Sequence, residues 1–497
     1  MTPCFADDSM QAWMRRAIDA YRAMDSDDTG VSDTAAVDAT RATAEVLAAL
    51  LRQQPAGWSP GPLRTSDGDL QVEFRNVSEQ LRFPLRMRSA QDVSMRAFDG
   101  QRHGREGFGV PVAVLASRSA TSSMDRLTPQ SGAFRNLTAW IEPDAAHVDA
   151  TPRLVLADPL KLDNISIGAR RFSLASDTSA AYAWAMEISK LERVGIWGLL
   201  GGKQIERRSG LYLLEDYDPR KRPLIMIHGL GSNPLIWARL TNAIWDDEDI
   251  RARYQVWHVL HQTDAPLLAA RLRIQCFLDD AWRTLDPAGN HRAHSGTVLI
   301  GHSMGGVVAR LLCVESGVVP WNAAFLVPPE VLDASAEDLD VIKQVFFFTP
   351  YPGVSRAIFL AAPHRGSPEA ATMLGRMTGD FVGRRAIEVQ AMRRIAHANS
   401  SALRPEMREV LEQGWVNSII TLQSEQPVRR ATETLMPPAG IPYHTIAAVL
   451  PGRTTDGVVP LDSAMIPGAT SSLVVESGHQ LHESPQAIAE VLRILRE

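Results

Sequence analysis

The stretch that most constrains this chain runs from Thr297 to Leu312, T-V-L-I-G-H-S-M-G-G-V-V-A-R-L-L. The short apolar run Val298, Leu299, Ile300 reads as a buried strand. It meets Gly301-His302-Ser303-Met304-Gly305 and then an apolar pattern at helical spacing, Val307, Val308, Leu311, Leu312. A strand that reverses sharply into a helix leaves no room for Cβ atoms beside the turn, and its apex needs unusual backbone angles. The two glycines answer the first demand. Such a turn lifts the Ser303 hydroxyl above the sheet edge, at the positive end of the following helix. The plain alternative is a glycine-rich strand-to-helix turn with a chance serine, so the rest of the chain must supply the context.

The pattern around that turn sets the fold class. Pro223–Ile227, Tyr254–Leu260, Thr297–Ile300, Ala357–Ala361, Tyr443–Val449 and Ser472–Glu476 read as strands, most of them largely apolar. Leu267–Leu285 and Gln486–Leu495 have helical spacing. Apolar strands alternating with helices predict a doubly wound, mostly parallel α/β sheet. Two stretches interrupt the alternation. Glu315–Ser355 carries Trp321, Phe325, Phe346, Phe347, Phe348 and Tyr351, and Arg365–Gly440 is helical and rich in Met and Arg. Both are expected to overhang the carboxyl ends of the strands as a lid or cap. Trp321, Phe325, Phe347 and Phe348 are the candidate substrate-binding residues. Ordinary helical packing on a sheet face is the alternative. The Arg384, Arg385, Arg393, Arg394 set reads as a solvated helix face.

Upstream, residues 9–52 read as two helices joined by a polar loop over 25–33, and Pro55–Pro62 closes this unit. From about Leu70 to Leu174 the period shifts toward 2, with Leu70–Phe74, Val110–Leu115, Asn136–Ile141 and Arg153–Ala157 as strands. His103 and its neighbours Arg102 and Arg105 read as a solvated loop, and Ser179–Leu200 as a core helix. The expected division is an N-terminal helical segment over 1–62, a β-rich region and connecting helix over 63–206, and a catalytic domain over 207–497 with insertions at about 315–355 and 365–440.

Composition excludes several classes. The chain has 497 residues, 45% hydrophobic and 22% charged, with a net charge of −6. That balance gives no sign of nucleic-acid binding. Three cysteines, Cys4, Cys276 and Cys313, are too few for a disulfide framework, and the last two read as core. No segment reaches the length of a membrane span, and the acidic first 30 residues do not read as a signal peptide.

A serine hydroxyl needs a base, and the base needs an orienter. In turns of this type the acid and then the histidine follow the serine along the chain. Thr454-Thr-Asp456-Gly-Val-Val-Pro460 follows one predicted strand, and Glu476-Ser-Gly-His479-Gln-Leu-His482 follows the next. Both loops are expected on the rim that carries Ser303. Asp462 is the rival acid and His482 the rival base; Asp456 and His479 are preferred because they lie closer to their strand ends. His302 and His364 read as structural. An acyl-transfer oxyanion needs preorganised donors. The N–H groups of Met304 and of Leu230, in His228-Gly229-Leu230-Gly231, are the candidates.

At this point the chain from about Arg207 resembles bacterial α/β-hydrolases of the lipase/esterase type. The resemblance rests on H-G-L-G-S, G-H-S-M-G-G, A-P-H-R-G-S, T-D-G-V-V-P and S-G-H with S-P-Q-A-I-A-E-V. Arg153–Leu174 and the run from Arg208 to Asp218 are similar to a branch often found as envelope lipoproteins, which would imply the cell envelope, although Thr2-Pro3-Cys4 is not a lipobox. The resemblance implies an α/β-hydrolase fold and a triad at Ser303, Asp456 and His479. The expected activity is hydrolysis of a small-molecule, lipid or polymeric ester, with no metal or cofactor. An acyltransferase on the same triad and a silent binding module are the alternatives.

Overall fold

The computed structural model describes residues 9–78, 84–118, 123–144, 151–189, 208–368, 387–412 and 418–497. The chain divides into two compact units, Met1–Ser189 and Lys190–Glu497.

The first unit begins with α1 (Met10–Ala23) and α2 (Thr29–Gln53). The loop expected over 25–33 is shorter. The Asp28 carboxylate accepts the N–H groups of Gly30 and Val31, so α2 starts at Thr29. Behind the helices lies a six-stranded sheet, β1 (Gly61–Leu63), β2 (Leu70–Arg75), β3 (Pro84–Ser89), β5 (Val110–Ala116), β6 (Ala133–Glu142) and β7 (Arg153–Ala157), in the order β1-β2-β7-β6-β5-β3. Short pairs join β4 (Gly104–Arg105) to β10 (Ser176–Asp177), and β8 (Asn164–Ile167) to β9 (Arg170–Ser173). Met10, Met14, Val46, Leu47 and Leu50 of the helices share one core with Leu70, Val112, Leu137 and Leu154.

The solvated loop expected around His103 is a structural staple instead. Arg102 pairs with the buried Asp177 and donates to the carbonyl of Val93 at 3.1 Å, while Arg105 pairs with Asp163 at 3.2 Å. Charges 58 to 75 residues away in sequence supply the partners, which a local reading cannot see. α3 (Ala180–Ser189) follows, and the rest of the helix expected to Leu200 lies outside the described residues.

The second unit is built on a seven-stranded sheet: β11 (Gly210–Leu213), β12 (Arg222–Ile227), β13 (Tyr254–Leu260), β14 (Thr297–His302), β15 (Val354–Leu360), β16 (Tyr443–Val449) and β17 (Ser471–Glu476). Their order is β11-β13-β12-β14-β15-β16-β17. Only β11 runs antiparallel, against β13. This edge strand was absent from the strands read in the sequence, because four residues are too few to display a period. From β12 the chain winds outward to β13, returns to β14 and then proceeds the other way. That reversal is the switch point at which crevices open outside the carboxyl ends of strands.

Burial explains the apolar runs. Every residue of β13 and β14 is buried, whereas the edge strand β17 buries only Val475. Leu224, Met226, Val298, Ile300, Ile358 and Ile446 share a core with α4 (Ala238–Asp246), α5 (Glu248–Arg253) and α15 (Pro485–Arg496). Side chains alternate along a strand, so Ile225 and Leu299 face the opposite layer. That layer contains α6 (Leu267–Leu285) and α7 (Met304–Leu311). Cys313 is buried as expected, but Cys276 is on the exposed face of α6. Helical spacing alone did not distinguish the faces there.

The insertions contribute α8 (Val319–Ala324), α9 (Ala336–Phe346), α10 (Ile387–Ala398), α11 (Pro405–Glu412), α12 (Ser418–Leu422) and α13 (Pro427–Thr432). α14 (Leu461–Ala464) follows β16. Arg310 of α7 ties the second insertion to α7: its guanidinium is buried and donates to the carbonyls of Thr432 and Leu435 at 2.9 and 2.6 Å. Arg394 pairs with Asp338 across α9 and α10, and Arg384 and Arg385 lie outside the described residues. No helix among the described residues is long and apolar enough to cross a membrane.

Candidate active site

Ser303 sits between β14 and α7 at φ 55° and ψ −128°, a conformation that an L-residue adopts only under strain. Its N–H donates to the Leu360 carbonyl at 2.9 Å, which holds the turn to the neighbouring strand. The glycines around it are steric requirements. A Cβ on Gly305 would stand 2.1 Å from the Ile227 carbonyl oxygen, and one on Gly301 would stand 2.4 Å from the Gly305 oxygen. A Cβ on Gly229 would meet the Ser303 Cβ at 2.8 Å. Backbone cannot move aside as a side chain can. Gly305→Ala is therefore expected to destabilise the chain by about 3 kcal/mol or more, read as a fall in melting temperature; an unchanged melting temperature would contradict the tight turn.

The structure brings Ser303, His479 and Asp456 together. His479 Nε2 lies 3.0 Å from Ser303 Oγ, and His479 Nδ1 lies 2.7 Å from Asp456 Oδ2. A carboxylate only accepts, so Nδ1–H donates to Asp456, and Nε2 is left to accept from the serine hydroxyl. Asp456 is 4% exposed. Its other oxygen accepts the N–H groups of Val458 and Val459 at 2.8 and 2.7 Å. These donors hold the carboxylate in one orientation. The rivals separate by burial. Asp462 is exposed on α14. His482 is packed edge-on against Trp237 and His302, and burial first, then His479 and Arg239, lowers its pKa to about 4.

His302 is buried and its Nε2–H donates to the His479 carbonyl at 2.8 Å. Burial, with His482 and His479 nearby, holds it well below the ordinary histidine range. His364 is buried edge-on against Phe359, and burial is again the main cause of its lowered pKa.

Met304 follows Ser303 directly, and Leu230 follows Gly229, on which a Cβ would meet the Ser303 Cβ. Among the described residues neither N–H is taken by a protein acceptor, whereas the next amide, Gly231 N–H, donates to Thr263 Oγ1 at 3.1 Å. The sequence reading missed the residues that hold this loop. His261 Nε2 donates to the His228 carbonyl at 3.1 Å, and the two rings lie 4.5 Å apart. No periodicity marks His261 or Thr263; their role arises from β13 lying beside β12.

The aromatics of the first insertion pack on one another. Trp321 and Phe325 stack at 4.1 Å, Phe346 meets both edge-on, and Phe347 lies 5.4 Å from Trp321. Phe348 carries the Arg271 guanidinium 4.3 Å from its ring centroid. An apolar pocket opens among Leu267, Leu268, Leu311, Val345, Phe346 and Met392. Phe346 lines it, and none of the four candidates Trp321, Phe325, Phe347 and Phe348 is among its lining residues. Among the described residues no group of three His, Cys, Asp or Glu side chains is placed to hold a metal ion.

The strand order and the strained turn define an α/β-hydrolase fold, with all three polar side chains on the rim at the carboxyl ends of β14, β16 and β17. No family model matches the chain, and no curated protein does. Solved structures do. The mature lipase BlEst2 of Bacillus licheniformis is 16% identical, covering 57% of this chain and 94% of that one at a TM-score of 0.30. The esterase RhEst1 of Rhodococcus sp. ECU1013 is 14% identical over 57% and 93% at 0.28. Epoxide hydrolases of the α/β-hydrolase superfamily, from metagenomes of hot environments, are represented at 17% identity over 58% and 94% at 0.29. These similar proteins are hydrolases of differing chemistry. The envelope branch of the sequence resemblance finds no support among them.

Proposed function

We propose that this chain is a serine carboxylester hydrolase that works through an acyl-serine intermediate. One observation carries the reading: a single imidazole lies within hydrogen-bond reach of both a strained serine hydroxyl and a buried carboxylate. Ser303 Oγ attacks the ester carbonyl carbon as His479 Nε2 takes its proton. Asp456 keeps the imidazole in the required tautomer and stabilises the imidazolium that forms. The N–H groups of Leu230 and Met304 receive the oxyanion. Collapse expels the alcohol, which takes the proton from His479. A water molecule then repeats the sequence to release the acid.

The substrate in this reading is a small-molecule or lipid ester with a hydrophobic acyl group lying under the cap. Each methylene buried there is worth about 0.8 kcal/mol. Phe346→Ala should lower kcat/KM for a medium-chain nitrophenyl ester more than for the acetate; an equal loss for both would remove the acyl group from this pocket.

Labelling with a serine-directed fluorophosphonate tests the nucleophile. The wild-type chain should be labelled at Ser303, and absence of labelling in folded protein would refute the reading. The base is tested by kinetics measured side by side. His479→Ala should lose nearly all turnover, because triad members act as a unit. His482→Ala should keep most turnover while melting at a lower temperature. The reverse ranking would move the base to His482.

A further inference from the structure

We propose that the short cap helix α12 is the strut that fixes the oxyanion loop and the acid loop relative to each other, with Thr421 and Ser367 as its positioning residues. The inference rests on the hydrolase reading and goes beyond it, since neither residue touches the reacting atoms; Thr421 also lines the apolar pocket given to the acyl group, so the test uses a short-chain ester.

The need for a strut follows from the sheet. The oxyanion loop leaves β12 and the acid loop leaves β16, with β14 and β15 between them. Three strand spacings separate the two loops by roughly 14 Å. Ladder hydrogen bonds fix the strands, but they end where the loops begin. Something above the rim must set the loops.

A continuous polar chain does so. Starting from the oxyanion side, Gly231 N–H donates to Thr263 Oγ1 at 3.1 Å. Beyond Thr263, the Asp264 carbonyl accepts Ser418 N–H at 3.1 Å, and Leu267 N–H donates to Thr421 Oγ1 at 3.2 Å. Both contacts reach α12. The Thr421 hydroxyl then donates to the Ser418 carbonyl at 3.0 Å, which locks its rotamer within the helix. At the other end of α12 the Leu422 carbonyl accepts Ser367 N–H at 3.0 Å. The turn there abuts the helix: Gly366 has φ +83°, and a Cβ on it would stand 2.8 Å from the Leu422 oxygen.

Ser367 continues the chain into the acid loop. Its hydroxyl donates to the Val458 carbonyl at 2.5 Å, and the Val458 N–H is one of the two amides that hold Asp456 Oδ1. Ser463 ties the same segments a second time, donating to the Gly366 carbonyl at 2.6 Å and accepting Arg365 N–H at 3.1 Å. Ser418, Thr421, Leu422, Thr263 and Ser367 are all buried, so water competes poorly for these bonds. The strut thus sits between the residues that receive the oxyanion and those that orient the base. Misplacement of either by about 1 Å costs on the order of 100-fold in rate.

The test uses full-length Thr421→Val, Thr421→Ser, Ser367→Ala and the Thr421→Val/Ser367→Ala double variant. Turnover of a short-chain nitrophenyl ester is divided by the endpoint amount of fluorophosphonate-labelled enzyme, so that misfolded protein is not counted. We expect Thr421→Val and Ser367→Ala each to lower kcat by about 10- to 100-fold with KM within about twofold. Thr421→Ser, which keeps the hydroxyl, should restore kcat. The double variant should lose less than the product of the single losses, because both act through one strut. Unchanged kcat in Ser367→Ala, or a fully multiplicative double loss, would overturn the proposal. Should Thr421→Val fail to fold, Ser367→Ala and Thr421→Ser decide it. Amide hydrogen exchange at Gly231, Val458 and Val459 reads the strut without turnover: exchange should quicken at both loops in Ser367→Ala. Quickening at the acid loop alone would overturn the coupling, whatever becomes of the hydrolase reading.

Discussion

Ser303→Ala is expected to lower ester turnover by roughly four orders of magnitude or more, on the scale of other triads that lose their nucleophile. The fold should survive. Alanine removes one oxygen from a residue that is 8% exposed, and the Ser303 backbone bond to Leu360 does not involve the hydroxyl. The strained backbone at φ 55° remains in the variant, so the melting temperature should stay close to that of the wild type. The residual rate is informative as well. The Leu230 and Met304 N–H groups proposed to receive the oxyanion and the Asp456–His479 pair stay in place, so water activated by His479 is expected to react slowly. Turnover within tenfold of wild type by a folded Ser303→Ala chain would dismiss the serine as nucleophile. Turnover lost together with the cooperative melting transition would show instead that the hydroxyl is structural.

The second large effect concerns acid. His228, His258, His261, His302, His364, His444 and His482 are all buried in the second unit, and burial is the leading cause of a lowered pKa in each. His258 falls to about 3, and His261, His444 and His482 to about 4. The sign follows from linkage. In the unfolded chain these groups protonate near pH 6.5, while in the folded chain His258, His261, His444 and His482 stay neutral until about pH 4 or lower, and His228, His302 and His364 are held well below the ordinary histidine range. Between those values the unfolded state binds more protons, so stability falls as pH falls. Each such histidine contributes a loss of up to about 1.4 kcal/mol per pH unit in that window. The melting temperature should therefore be level above about pH 7 and drop steeply between pH 6.5 and 5, well before the carboxylates titrate. Calorimetry across that range checks it, and a melting temperature flat from pH 7 to 5 would contradict the buried neutral histidines.

These histidines also show where local reading stops. His302 reads as structural from its place in the turn, and it is buried as expected. The carbonyl it serves belongs to His479, 177 residues later. His261 shows no signal at all in the sequence. It matters only because β13 lies beside β12, which lets its Nε2–H reach the His228 carbonyl.

The sequence by itself determined the alternation of apolar strands and helices, the glycines of the elbow and the order serine, acid, histidine. Each is a local demand: a strand buried on both faces must be apolar, and a turn without room must be glycine. Tertiary structure alone decided the rest. Asp456 and Asp462 are both carboxylates shortly after β16, and only packing buries the first and exposes the second, on α14. Arg102 looked solvated until Asp177 met it. Val345 and Phe346, and not Phe347 or Phe348, came to line the pocket, a choice that the run of three phenylalanines does not show. Partners brought together by folding are separated along the chain by distances that no local period records, so these choices were made by packing.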